Sequence, residues 1–270
     1  MSESVRPSVS VHLLPALLAP GALAGGVAVV VDVLRATTVM VQALAAGAKA
    51  IVPCAEVDEA RARAGEFPAG TAVLAGERQG LPIPGFDFGN SPDDFTREVC
   101  AGKTLVMTTT NGTRAILASL GADRLFVASF ANRKATVDLL DRLVNFDGAL
   151  HVVCSGTDGR LSLEDAMLAG AIVVEWADRR YRERPDLVVD RDDGAELVAR
   201  YWQDAQERLD DEPEFERALA GHLARGRGGR RVREIGLARD LDAAARYDRI
   251  GFAAEVLRDP LRVVAVPATG

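Results

Sequence analysis

Short apolar runs that each lead into a polar loop and then a helical pattern recur along the first 180 or so residues of this chain. Val27–Val31 is the clearest run, because consecutive β-branched and small apolar residues are typical of a strand covered on both faces. The polar loop Asp32–Thr38 follows, and Met40, Ala43 and Leu44 then recur at helical spacing. Strands that alternate with helices in this way predict an α/β fold with parallel strand pairs.

The same pattern predicts the remaining strands of the core. We expect them at residues 9–14, Ala50–Val52, Ala72–Ala75, Leu105–Met107, Leu125–Ala128 and Leu150–Cys154. The predicted architecture is a layered α/β/α protein with a mixed, partly parallel sheet. Two loops that follow strands and open helices, Thr110–Arg114 and Ser155–Arg160, resemble each other, and this likeness is compatible with an internal duplication.

The character of the sequence changes after Tyr181, where it becomes rich in charged residues. A helix is expected over Ala195–Leu209, and no good strand is found until Leu261–Val266. We therefore divide the chain into an α/β core with active-site loops (1–181), a mainly helical layer or subdomain (182–250) and a C-terminal strand that returns to the core (251–270).

Charge and cysteine usage restrict the partners and the compartment. Lys and Arg number 32 against 39 Asp and Glu, a net charge of −7, which argues against nucleic acid and anionic membranes as partners. The basic run Arg225–Arg233 is interpreted as a solvated helix end or a flexible loop. Three cysteines without a paired spacing favour a reducing compartment. The apolar stretch 9–31 is broken by Pro15, Pro20 and Gly21, so we expect a cytoplasmic protein without a membrane span.

Polar residues cluster where the predicted strands end. Asp32, Glu77 and the segments Thr108–Asn111, Ser129–Asn132 and Ser155–Asp158 all follow strands. In open α/β sheets ligands bind beyond the carboxyl ends of the strands, where loops converge. Backbone N–H groups and hydroxyls at helix starts suit a phosphate or another oxyanion. Each loop alone is weak evidence, because Ser, Thr or Asn before a helix is usually only a cap, but the set together predicts an anion site.

Two acid–arginine pairs stand in these loops. In the first, Asp32 and Arg35 accompany Thr37 and Thr38, and arginine can bind phosphate or sulfonate oxygens in a bidentate fashion while aspartate can hold a divalent metal. A local Asp32–Arg35 ion pair with Thr37 as a helix cap is an equally good interpretation. The second pair is Glu77–Arg78.

Two further constellations have competing interpretations. Ser162–Asp165 carries two acids that could bind a metal, but it also matches a helix capping box. Cys154 and Arg160 have the spacing of thiol phosphatases, in which a thiolate attacks phosphorus. Asp158 within that loop would repel a phosphate dianion, so the thiol mechanism is the minority hypothesis.

Six stretches occur in order between residues 32 and 170: Asp32–Thr38, Gly76–Arg78, Gly85–Pro92, Thr109–Thr113, Ala128–Asn132, and Cys154–Gly156 continued by Leu163–Asp165 and Ala169–Gly170. Together they resemble the 2-phosphosulfolactate phosphatase family. The resemblance implies a magnesium-dependent phosphoric-monoester hydrolase that converts 2-phospho-3-sulfolactate to sulfolactate and phosphate, a step in coenzyme M biosynthesis. The alternatives are a phosphatase for another phosphorylated hydroxy acid and a non-catalytic binder of phosphorylated or sulfonated metabolites.

The residues and the resemblance together give a set of expected site residues. Asp32 and Arg35 are the catalytic candidates, with Cys154 as the minority choice, and the nucleophile is water, Asp32 or Cys154. The candidate Mg²⁺ ligands are Asp32, Glu77, Asp165 and Glu164. The candidate substrate-binding residues, in which Arg35 and Arg78 meet the two anionic groups of a small substrate, are Arg35, Thr37, Thr38, Arg78, Asn90, Ser91, Thr109, Asn111, Gly112, Thr113, Ser129, Asn132, Ser155 and Gly156. A homodimer is compatible with the sequence.

Overall fold

A computed structural model describes residues 6–144 and 148–268, so the outermost ends of the predicted core and C-terminal segments lie outside the described residues. Within these ranges the strands form one mixed sheet flanked by helices, which confirms the predicted α/β class. The strands are β1 (Ser8–His12), β2 (Val27–Val31), β3 (Ala50–Pro53), β4 (Ala72–Arg78), β5 (Leu81–Pro82), β6 (Thr104–Thr108), β7 (Arg124–Ala128), β8 (Ala149–Cys154), β9 (Asp190–Arg191), β10 (Phe252–Arg258) and β11 (Leu261–Pro267).

The helices follow the strands in the alternation that the sequence predicts, and four of them are clustered between residues 193 and 244. They are α1 (Ala36–Ala45), α2 (Val57–Gly65), α3 (Arg97–Cys100), α4 (Gly112–Ala118), α5 (Arg133–Leu143), α6 (Leu163–Glu183), α7 (Asp193–Asp210), α8 (Phe215–Leu223), α9 (Arg227–Glu234) and α10 (Arg239–Ala244). No helix among the described residues is long and apolar enough to cross a bilayer.

Strand β2 shows why the sheet is covered on both faces. All five of its residues are buried. Val29 and Val31 belong to an apolar cluster with Trp176 of α6, whereas Val30 belongs to a second cluster with Met40 of α1. Because successive side chains of a strand point to opposite faces, a continuous apolar run feeds both clusters at once. This arrangement is the α/β/α layering.

The strand order is β5-β4-β6-β3-β11-β10-β7-β2-β8-β1-β9. Two parallel groups, β4-β6-β3 and β7-β2-β8-β1-β9, are joined by the antiparallel hairpin β10–β11. The prediction of no good strand before Leu261–Val266 is wrong, because β10 also forms. Phe252–Arg258 contains two alanines and a glutamate, but Glu255 pairs with Arg124 of the neighbouring strand β7 at 2.5 Å.

The hairpin also sets the relative direction of the two parallel groups. Both β10–β7 and β11–β3 are antiparallel contacts, so β3 runs opposite to β7. The expectation of a single carboxyl edge shared by all the polar loops is therefore wrong. Between β4, which carries Glu77, and β2, which precedes Asp32, the sheet contains six successive strand pairs. A twist of roughly 20–25° at each pair accumulates, which allows loops from both groups to meet in one cavity.

Strand β1 carries one member of a partly buried histidine pair. The rings of His12 and His151 stack with centroids 5.5 Å apart, and His12 Nε2 lies 3.4 Å from His151 Nδ1. The pKa of His151 is lowered to about 4, mainly by burial and also by the neighbouring His12, against an opposing effect of Asp192. Gly26 leaves room for this ring, since a Cβ there would lie 2.8 Å from the His151 imidazole.

This pair predicts an acid-dependent loss of stability. The folded-state pKa of His151 lies below the unfolded value of 6.5, so the unfolded chain binds more protons between about pH 4 and pH 6.5. The free energy of unfolding should therefore fall as the pH falls through this window, by about 1–2 kcal/mol from this site between pH 7 and pH 5. His151→Gln should flatten this part of the pH dependence in urea unfolding experiments. An NMR titration of folded His151 with a midpoint near 6.5 would contradict the prediction.

Candidate active site

Loops from both parallel groups and helix α9 enclose a cavity of 590 Å³. Six of the predicted site residues line it: Asp32, Arg35, Glu77, Asn90, Thr109 and Asn111. The other lining residues are Leu34, Gln79, Gly80, Thr110, Thr157, Asp158, Arg227, Gly228, Arg230, Arg231, Val232, Glu234 and Ile235. Polar and charged side chains dominate this set, as expected for a site that takes a small anion.

Asp32 follows β2 directly, and its carboxylate is held in a fixed orientation. Oδ1 accepts a hydrogen bond from the backbone N–H of Ala36 at 3.1 Å. A Cβ at Gly112 would lie 2.8 Å from Oδ2, so the start of α4 can approach only because residue 112 is glycine. The pKa of Asp32 is raised to about 6, mainly by burial and to a smaller extent by the carboxylates of Glu77 and Glu164, against the hydrogen bonds from the Ala36 N–H and Ser155.

Glu77 is the last residue but one of β4, and it organises two loops. Its Oε2 accepts from the N–H of Gly80 and its Oε1 accepts from the N–H of Thr110, both at 2.7 Å. Each oxygen retains acceptor capacity after one such bond. Glu77 therefore faces the cavity with its orientation fixed by the backbone of two neighbouring loops.

Asp165 serves a different purpose from the one predicted for it. Its Oδ1 accepts from the N–H of Val33 at 2.9 Å, and its Oδ2 accepts from the N–H of Gly156 at 3.0 Å and the hydroxyl of Ser155 at 3.2 Å. Burial raises its pKa well above the usual range, and the carboxylates of Asp32 and Glu164 add to that effect. Asp165 does not line the cavity; it ties the loop after β2 to the loop after β8.

Glu164 is also placed outside the cavity lining. It is 1% exposed, and neither carboxylate oxygen makes a hydrogen bond of normal geometry among the described residues. Its oxygens lie against the start of α9, because a Cβ at Gly226 or at Gly228 would come within 2.2 or 1.9 Å of them. The partial positive charge of a helix N-terminus suits a buried carboxylate at this position.

Arg35 is held in a buried network. One of its terminal nitrogens donates to Asp240 Oδ2 at 2.7 Å and to Ser91 Oγ at 3.3 Å, and the other donates to the carbonyl oxygen of Gly80 at 2.7 Å. The alternative of a local Asp32–Arg35 ion pair is not what forms, since the partner of Arg35 is Asp240 of α10. Sequence reasoning missed Asp240, because 205 positions separate it from Arg35 and no local pattern marks it.

The remaining predicted side chains mostly brace the loops. Thr37 Oγ1 donates to the Asp32 carbonyl at 2.9 Å, and Thr38 Oγ1 donates to the Val33 carbonyl at 2.8 Å. Arg78 donates to the Glu77 carbonyl and to Thr108 Oγ1. The residues on the predicted list that do not line the cavity are Thr37, Thr38, Arg78, Ser91, Gly112, Thr113, Ser129, Asn132, Cys154, Ser155, Gly156, Glu164 and Asp165.

Cys154 ends β8 beneath the loop that contains Asp158. The thiol is 1% exposed and pairs with no other cysteine. Burial raises its pKa well above the usual value, and the carboxylate of Asp165 raises it further. A buried, protonated thiol is a poor nucleophile, so the structure gives the minority thiol hypothesis no support.

The basic run adds residues to the sequence-based site. Arg225–Arg233 is interpreted from sequence as a solvated helix end or a flexible loop, and the structure agrees with the helix, because most of the run forms α9 and its arginines are exposed. The addition is that Arg227, Arg230 and Arg231 line the cavity. We call these three residues the arginine face. Their spacing of i, i+3 and i+4 places them on one side of a helix. This spacing is the sequence pattern from which the arginine face could have been predicted.

The donor atoms around Asp32 and Glu77 fit a magnesium ion. Two cavity-lining carboxylates offer hard oxygen ligands, and Mg²⁺ is commonly bound by one or two carboxylates together with water and substrate oxygens. The pKa of Asp32 is raised by burial and by the neighbouring carboxylates of Glu77 and Glu164, and a bound cation would relieve this unfavourable environment for the charged form. Within residues 6–144 and 148–268, no three His, Cys, Asp or Glu side chains are grouped closely enough to hold a metal by themselves.

These features define a class of protein, an α/β protein with a cavity lined by acidic and basic side chains at its strand ends. Comparison with known sequences gives the family: the model of the 2-phosphosulpholactate phosphatase family matches residues 13–257, and the chain belongs to that family. The family makes it a phosphoric-monoester hydrolase, which confirms the resemblance seen in the motifs.

Individual relatives agree with the family assignment. A protein of Clostridium acetobutylicum is 36% identical over 222 residues, which is 82% of this chain and 85% of the relative. A protein of Symbiobacterium thermophilum is 44% identical over 178 residues, or 66% of this chain and 72% of the relative. One of Clostridium perfringens is 42% identical over 168 residues, or 62% and 67%. Each is named "Probable 2-phosphosulfolactate phosphatase".

The bridging position of Asp165 predicts a specific loss of stability. In Asp165→Asn, either orientation of the amide leaves the N–H of Val33 or of Gly156 facing an NH₂ group. Loss of an acceptor for a buried backbone N–H should lower the free energy of unfolding by about 1–3 kcal/mol. Urea unfolding measures this difference. Asp178→Asn is the matched control, because Asp178 is an exposed residue of the same helix α6. Equal stabilities of the two variants would contradict the assigned role.

Proposed function

We propose that this chain is a magnesium-dependent phosphatase that hydrolyses 2-phospho-3-sulfolactate to sulfolactate and phosphate, the reaction used in coenzyme M biosynthesis. One observation carries the proposal: the paired carboxylates Asp32 and Glu77 share a cavity with the arginine face. A substrate with phosphate, sulfonate and carboxylate groups needs both a cation at the reacting phosphate and arginines for its other charges. The names of the relatives support the same substrate.

Asp32 and Glu77 are the residues that would hold the magnesium ion. When bound, Mg²⁺ would neutralise phosphate charge and act as a Lewis acid toward the phosphoryl oxygens. The two carboxylates reach this position preorganised, since the N–H groups of Ala36, Gly80 and Thr110 fix them. Preorganised charge of this kind needs little rearrangement during the reaction.

The proposed reaction is the transfer of a phosphoryl group to water. A water oxygen forms a bond to phosphorus, the ester bond between phosphorus and the C2 oxygen breaks, and a proton from the water ends on that oxygen. Asp32 orients the attacking water from the cavity wall. With a pKa of about 6, its carboxylate is mainly ionised at pH 7 and can accept hydrogen bonds from the water.

Arg35 contributes to this reaction through the loop and through its charge. Asp240, Ser91 and Gly80 already accept hydrogen bonds from both of its terminal nitrogens. We therefore assign it to hold the Asp32–Thr38 loop in shape and to add positive potential at the cavity wall. Arg78, which lies outside the lining, supports the loop of Glu77 through its bond to the Glu77 carbonyl.

The mechanism predicts opposite behaviour for Asp32 and Cys154. Phosphate release from 2-phosphosulfolactate should require Mg²⁺, stop in EDTA and return when Mg²⁺ is restored. Asp32→Asn should lower kcat by about 100-fold or more, because it removes a charge at the reacting phosphate without changing side-chain size. Cys154→Ser should retain most of the activity, because the buried thiol takes no part.

Two results would contradict this mechanism. An EDTA-resistant wild type with an inactive Cys154→Ser variant would establish thiol chemistry instead. Binding of 2-phosphosulfolactate in the presence of Mg²⁺ with no release of phosphate would establish a metabolite-binding protein. Preferential turnover of another phosphorylated hydroxy acid would keep the phosphatase and replace the substrate. Circular dichroism and thermal melting confirm that each variant is folded.

A further inference from the structure

Helix α9 has an exposed side and a buried side. Arg227, Arg230 and Arg231 are exposed and line the cavity. Gly228, Gly229 and Val232 are buried, and of these Gly228 and Val232 also reach the cavity lining. The fourth arginine of the helix, Arg233, is exposed and is not part of the cavity lining. The distribution follows helical periodicity, so three positive charges are directed to one side by the backbone itself.

The buried face fixes this helix in place. A Cβ at Gly228 would come within 1.9 Å of Glu164 Oε1, and a Cβ at Gly229 would come within 2.1 Å of the Leu223 carbonyl oxygen. These close approaches need glycine, and they hold the start of α9 against α6 and against the end of α8. The arginine face is therefore a positioned wall of the cavity and not a loose charged segment.

The charges of Arg227 and Arg231 are only weakly neutralised by the protein, whereas Arg230 also interacts electrostatically with the carboxylate of Glu164. Arg227 lies 3.8 Å from Asp158, and Arg231 lies 3.8 Å from Glu234 while donating to the Gln79 carbonyl at 2.9 Å. Their side chains are 46% and 45% exposed, and ion pairs of this length and exposure contribute little. Arg35 differs, because its guanidinium lies 2.7 Å from the buried carboxylate of Asp240. The arginine face therefore keeps its capacity to bind an anion.

Besides the reacting phosphate, the substrate carries a carboxylate and a sulfonate, and their shapes indicate which of the two the arginine face binds. A planar carboxylate is satisfied by one guanidinium fork, whereas a tetrahedral sulfonate presents three oxygens in different directions. Three arginines at positions i, i+3 and i+4 offer donors from several directions to one such group. The phosphate, in contrast, is assigned to the carboxylates of Asp32 and Glu77 with their cation.

We propose that the arginine face, Arg227, Arg230 and Arg231, binds the sulfonate of the substrate and determines the preference for a sulfonated phosphate ester. This inference rests on the proposed function, because it assumes that the phosphate reacts near Asp32. It assigns separate roles to two parts of the cavity: the residues of the sheet loops act on the phosphate, and the arginines of α9 determine which substrate binds.

The test compares two substrates that differ in the sulfonate alone. Phosphate release is measured with 2-phosphosulfolactate and with 2-phospholactate for the wild type, for Arg227→Gln/Arg231→Gln and for Arg233→Gln. The double variant should lower kcat/KM for the sulfonated ester about 10- to 100-fold, mainly through a higher KM, and change it little for 2-phospholactate. Arg233→Gln, which removes a charge from the same helix outside the cavity, should behave as the wild type with both esters.

Calorimetric binding of sulfolactate gives a second readout that needs no turnover. The wild type and Arg233→Gln should bind it with the same affinity, and the double variant should bind it at least about 10-fold more weakly. Equal losses for both esters in the double variant, or unchanged sulfolactate binding, would overturn the sulfonate assignment. A wild type that releases no phosphate from either ester would instead refute the proposed function, which the sulfolactate titration distinguishes.

Discussion

The buried ion pair between Arg35 and Asp240 joins the loop after β2 to helix α10, and the walls of the cavity depend on this connection. Their side chains are 3% and 0% exposed, and the same guanidinium also binds Ser91 and the Gly80 carbonyl. Removing one partner of such a pair costs roughly 3–5 kcal/mol, because the other charge remains buried. The interaction therefore fixes the loop after β2, the loop after β4 and helix α10 in one arrangement. Within that frame Asp32, Glu77 and the arginine face keep charges that the protein does not fully neutralise.

The sheet could be predicted from the sequence wherever the signal was local. Val27–Val31 is buried on both faces, as its unbroken run of valine and alanine predicts. Strand β10 was missed because Glu255 is stabilised by Arg124, a partner 131 positions away. The same hairpin reverses one group of strands against the other, a property of pairing that no run of apolar residues encodes. Asp32 and Glu77 follow strands of opposite direction and nevertheless line one cavity, which no local pattern in the sequence predicts.

In the candidate site, too, the sequence predicts the residue types from local patterns but not the positions that depend on long-range contacts. Four acids are predicted as candidate metal ligands, yet two of them, Asp32 and Glu77, face the cavity while Asp165 and Glu164 hold loops and a helix around it. Their sequence contexts do not separate these uses, since a capping box and a metal ligand look alike. The arginine face was overlooked because a run of charges is ordinarily a solvated helix end or a flexible loop. In the folded chain Gly228 and Gly229 are needed for the contacts with Glu164 and Leu223.

The central claim is that the sheet loops hold the metal and the reacting phosphate while α9 holds the second anion. A crystal structure of the protein with Mg²⁺, sulfolactate and inorganic phosphate tests this claim most directly. The account predicts the cation on carboxylate oxygens of Asp32 and Glu77, with the sulfonate in contact with the arginine face. A cation bound by Glu164 and Asp165, or a sulfonate bound at Arg78 away from α9, would contradict it.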